Sequence, residues 1–72
     1  MSERELRNKM QAIAEAANTM YVAGIMNLEE VKEACLRAHT DEDGRNKYPA
    51  HAWWIMADMC HKDIREYFYE TA

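Results

Sequence analysis

Seventy-two residues with a net charge of −4 and a pI near 5.2 leave room for one small domain. They argue against capture of a phosphate backbone or an anionic membrane surface, both of which need clustered Lys and Arg. Leu, Ile, Val and Phe number only 10, while 11 Ala, 6 Met, 2 Trp and 4 Tyr supply most of the apolar content, so the expected core is Ala- and Met-rich and helical. A chain of this size buries only about 60% of the surface its unfolded form exposes. Charge is 0 over residues 1–26, −1 over 27–39, −1 over 40–47 and −2 over 48–72, so no segment is a charge block.

Ser2 followed by Glu5 is a capping-box pattern, which starts a first helix near Glu3. At about 100° per residue, Leu6, Met10, Ile13, Ala14, Ala17, Met20 and Tyr21 fall in one stripe. Asn8, Gln11, Glu15 and Thr19 fall opposite, and Gly24 is the expected stop, giving a helix over about 3–23. The stretch from Met10 to Leu28 carries Gln11, Glu15, Asn18, Thr19 and Asn27 and is too polar to span a membrane.

Asn27 and Glu30 repeat the capping logic for a shorter helix over 28–39, with Met26 and Val31 as a hydrophobic staple. Leu28, Val31, Ala34, Cys35 and Ala38 share its inner face, and Leu36 lies off it beside Lys32 and His39. Residues 40–47, TDEDGRNK, hold no large apolar side chain and read as an exposed connection. Pro49 suits the first turn of a third helix, expected over 49–70, with Trp53, Met56, Ala57, Cys60, Ile64, Tyr67 and Phe68 inward. The fold class is therefore all-α, a small three-helix arrangement of two long helices and one short one in a single domain, expected as a dimer because small cores often need one.

Trp53, Trp54, Ile55 and Met56 are consecutive, and four successive residues cover every side of a helix. With Trp53 and Met56 inward, Trp54, Ile55 and Met59 are left over as a candidate partner-binding patch, extended by Leu36, with Val22 and Ile25 as further outward apolar residues. The competing reading for Met59 is plain core. Cys35, His39, Cys60 and His61 contain a potential Cys₂His₂ set, but Cys60 and His61 are adjacent and point about 100° apart on a helix. No metal or other cofactor is expected.

The run Asp41, Glu42, Asp43, Gly44 fails the calcium-loop pattern, because Asn46 and Ala52 stand where Gly and Glu are required. His39, His51 and His61 with Asp58 and Asp63 are the available acid–base groups, and no phosphate loop, nucleophile motif or HExxH accompanies them. In a helix-turn-helix reading, Leu28, Glu29 and Glu30 would face the bases, and carboxylates there repel phosphates. The expectation is a non-enzymatic cytoplasmic interaction module that binds a larger protein and does not contact nucleic acid directly. A phage or mobile-element inhibitor of a host enzyme, of anti-CRISPR character, is compatible with it. The alternatives are a compact DNA-associated regulator and a structural metal-binding helical module.

Overall fold

The first helix begins where its cap predicts: Ser2 Oγ accepts a hydrogen bond from the Glu5 amide at 3.1 Å. In the computed structural model, which describes all 72 residues, α1 spans Glu3–Val22, α2 Leu28–His39, α3 Ala52–Met59 and α4 Lys62–Glu70. The reversal after α1 is a Schellman turn, with the Ile25 amide on Met20 O and the Gly24 amide on Tyr21 O, both at 3.0 Å. Gly24 takes φ +74° there, a value that is costly for a side chain with a Cβ. The capping box at α2 is complete, Glu30 N to Asn27 Oδ1 at 2.9 Å and Asn27 N to Glu30 Oε1 at 3.1 Å.

The connection over residues 40–47 is exposed, as expected, and it is also tied down. Asp41 Oδ1 accepts from the amides of Asp43 and Arg45, each at 2.9 Å, and Gly44 turns the chain at φ +77°. The Lys47 amide then bonds His39 O at 2.8 Å, beside an antiparallel bridge between Thr40 and Asn46. These short-range bonds occupy backbone groups that would otherwise need water.

The expected single helix over 49–70 is two helices, which corrects the count from three to four and leaves α1 as the one long helix. Pro49 does not begin α3; it starts a turn whose carbonyl accepts from the Ala52 amide at 3.0 Å. The break in the middle has a tertiary cause. Cys60 is extended, at φ −81° and ψ 160°, and the Asn18 side chain of α1 reaches both sides of the gap. Its Oδ1 accepts from the His61 amide at 2.6 Å and its Nδ2 donates to Met59 O at 3.4 Å. His61 then caps α4, Nδ1 accepting from the Asp63 amide at 3.1 Å. Side chain and cap together replace the bonds a continuous helix would have made.

The helices contact one another in a ring: α1 lies against α3 and α2, and α4 lies against both α2 and α3. Inside the ring the core comprises Leu6, Met10, Ala14, Ala17, Val31, Cys35, Ala52, Met56, Ala57, Cys60, Ile64 and Phe68. Trp53 stacks on Phe68 with ring centroids 4.9 Å apart. Replacing Asn18 by Ala leaves the Met59 carbonyl and the His61 amide without their side-chain partner. The expected loss is about 1–3 kcal/mol of stability, read from urea unfolding at constant m-value.

Candidate functional site

On one side of the ring nothing covers the seam between α1 and α2. The seam forms an open groove of about 390 Å³ lined by Ala12, Ile13, Ala16, Ala17 and Met20 of α1, by Met26 before α2, and by Val31, Ala34, Cys35 and Ala38 of α2. Every lining residue is apolar. Ala17, Val31 and Cys35 form its buried floor, while Ala12, Ala16 and Met20 are exposed on its rim. Its volume falls at the lower end of the roughly 300–1,000 Å³ typical of binding clefts.

The groove exists because the apolar arc of α1 is wider than its neighbours can cover. Ile13 and Met20, read from the sequence as inward, sit at the margin; Ile13 is half-buried and Met20 is 37% exposed. Ala34 and Ala38, also read as inward, are half-buried on the opposite bank. The sequence did carry a signal in Ala12 and Ala16, which widen the stripe on α1 without adding bulk. Alanine at i, i+4 on each bank keeps both walls low, so a backbone can come close.

The four residues singled out from the sequence are not brought together with this groove. Trp54, Ile55 and Met59 are half-buried and pack against the core from α3. Trp54 stacks on Tyr69 with centroids 4.6 Å apart and planes inclined by 27°, and Tyr69 in turn donates to Asp58 at 2.8 Å. Leu36 on α2 is 46% exposed and lines a separate recess of about 220 Å³ with His39, Thr40, Asn46, Tyr48, Pro49, Ala50 and Trp53. Val22 and Ile25 are exposed near the α1–α2 turn, at 70% and 64%.

His39, placed off the inner face of α2 by its spacing, is the one buried polar residue. Its Nε2 lies 3.3 Å from Met56 Sδ, and the rings of Tyr48 and Trp53 meet it edgewise, with centroids at 5.5 Å and 5.2 Å. The neutral Nε2–H tautomer can donate to the thioether, so the ring is accommodated without charge. Burial accordingly pushes its pKa below the usual 6.5.

The remaining reactive groups are held in structural roles. Burial pushes the Cys35 thiol up to about 12, with a further contribution from Cys60, and burial pushes Cys60 up to about 11. Both thiols are free and protonated at neutral pH, the form that is a poor nucleophile and a poor metal ligand. No three His, Cys, Asp or Glu side chains gather where a metal ion could be held. Asp58 and Asp63 accept from Tyr69 and Tyr21 hydroxyls, each at 2.8 Å, and these bonds raise the pKa of both tyrosines. No helix is long and apolar enough to cross a membrane. No protein-family model, curated protein or solved structure matches the chain.

A histidine with a depressed native pKa binds fewer protons in the folded than in the unfolded chain, so its contribution to stability falls as pH drops below the unfolded value of about 6.5. Urea midpoints should therefore decrease between pH 8 and pH 5.5. Replacing His39 by Gln should flatten that dependence, and an NMR titration should show the His39 imidazole protonating below the usual value of about 6.5. A His39 titration at or above about 6.5 would contradict this.

Proposed function

We propose that this chain is a small non-enzymatic protein–protein interaction module, which binds a larger protein through the α1–α2 groove. The supporting observation is the groove itself, an open trough with ten apolar lining residues and no polar one. Apolar surface left in water is unfavourable by about 25 cal/mol per Å², and a partner that covers a trough of this kind gains that term at once. Met20 and Met26 at the turn end add adaptable, polarisable contact area.

The chemistry present elsewhere offers no better reading. The thiols are protonated, the carboxylates nearest histidine are engaged by tyrosines, and the buried imidazole faces a thioether. The start of α2 carries Glu29 and Glu30, with Glu30 locked into the capping box, which argues against duplex docking through that end. A homodimer, with the groove or the Trp54, Ile55, Met59 and Leu36 surfaces at its centre, is the competing use of the same exposed apolar area. An inhibitor of a host enzyme is one form such a module takes.

Replacing Ala16 and Ala34 together by Glu places two charges in the trough at sites outside the buried core. Circular dichroism should report an unchanged helical protein. Affinity capture from the source cell should lose its principal protein partner, a weakening of about 30-fold or more for loss of a 2 kcal/mol contact. Leu36→Lys and Trp54→Ala should retain that partner. Capture that survives the groove variant but fails with Trp54→Ala would move the docking surface to α3. Sedimentation of the free chain as a stable dimer, dissociated by the groove variant, would replace the heterologous partner with a second copy.

A further inference from the structure

The edges of the groove say what kind of chain fits it. Beside the half of the trough nearest the α1–α2 turn stand Glu30 and Glu33 on α2, both exposed. By helical register Glu30 lies about 40° and Glu33 about 100° from Ala34, both on the solvent side. The two basic residues at the rim, Lys9 on α1 and Arg37 on α2, sit toward the other end, near Ala12 and Ala38. Glu30 is bonded by the Asn27 amide at 3.1 Å. Two carboxylates therefore border the Met20–Met26 end, and no base shares it.

We infer that the groove takes an amphipathic α-helix of a partner protein whose apolar face is flanked by Lys or Arg. This rests on the reading of the groove as a docking surface and names its occupant. Three observations select a basic helix. The low alanine banks admit a helix backbone, where a deep pocket would admit one side chain. The run from Ala12 to Met20 is about 12 Å of helix, long enough to engage residues at i, i+3 or i+4, and i+7 of an incoming helix. The carboxylates at the turn end complement bases beside that apolar face, and the net charge of −4 steers a cationic segment toward the surface. A second copy fits less well, because it would bring another chain of net −4 to the same edge.

The test uses two 18-residue peptides with the same Leu and Ala face, one flanked by Lys and the other by Glu. Calorimetry against the full chain at about 50 mM salt should show the Lys peptide binding at least tenfold more tightly than the Glu peptide. The difference should shrink as salt rises and the Debye length contracts from about 14 Å toward 3 Å. Glu33→Lys should reduce the preference several-fold while leaving the trough and the capping box intact. Ala16→Phe with Ala34→Phe, which fills the trough without changing charge, should abolish binding and so separate the groove from a general acidic surface.

Equal affinity for the two peptides, preference for the Glu peptide, or binding that survives the Phe variants overturns the basic-helix assignment. If neither peptide binds but the chain forms a dimer that the Phe variants dissociate, the occupant is a second copy and the groove remains a docking surface. If the groove takes neither peptide nor copy, the docking reading fails with the assignment.

Discussion

One carboxamide decides the shape of this molecule. Asn18 on α1 bonds the last carbonyl of α3 and the amide that precedes α4, at 3.4 Å and 2.6 Å. Without such a partner, the Met59 carbonyl and the His61 amide would lose their side-chain hydrogen bonds at the break, a loss of about 1–3 kcal/mol for the two together. With it, the chain can turn between Met59 and Lys62, and α4 can lie against α2 as well as α3. The short α3 and α4 then close a ring that a single 22-residue rod would leave open.

That closure determines which apolar surfaces are covered. The α3 helix packs against α1, whose buried residues are Leu6, Met10, Ala14 and Ala17, and α4 brings Ile64 and Phe68 into the same core. Lys32 on α2 bonds the carbonyl and hydroxyl of Thr71 at 3.0 Å and 2.7 Å, which draws the end of α4 toward the far side of α2. Both neighbours of the α1–α2 pair are thereby committed to one side of it. The other side has no helix left to cover it, and the groove is what remains. The opening and the kink thus have a common origin in the α3–α4 geometry.

The local elements were legible in the sequence because local bonds set them. Ser2, Gly24 and the Asn27–Glu30 pair mark helix ends through contacts within a few residues, and α2 has the boundaries its spacing predicts. The break at Cys60 was not legible, since its cause lies more than 40 residues away at Asn18. The stripe of Trp53, Met56, Cys60, Ile64 and Phe68 kept its 3.6-residue period across the gap and so looked like one helix. His39 was misplaced for a related reason: Tyr48, Trp53 and Met56, which enclose it, come from the following connection and α3. Periodicity on α2 could not report them. The groove was half legible, in that the sequence showed a broad apolar stripe on α1 and could not show that one bank of it would stay uncovered.

Which residues bear on binding can be separated from those that only build helices. Ala12, Ala16, Ala34 and Ala38 need no partner to explain them, because alanine is the best helix former and gives up no side-chain entropy. Ile13, Met20 and Met26 are different. Isoleucine gains little on an exposed helix face, and ordering a methionine side chain costs about 1.5–2 kcal/mol of rotamer entropy that a half-covered site does not return. Three such side chains lie along one apolar trough, with carboxylates at its turn end, and the proposed helix would remove that apolar surface from water. On the proposed docking, the alanines keep the trough open, the large side chains make covering it favourable, and the carboxylates select the charge of what covers it.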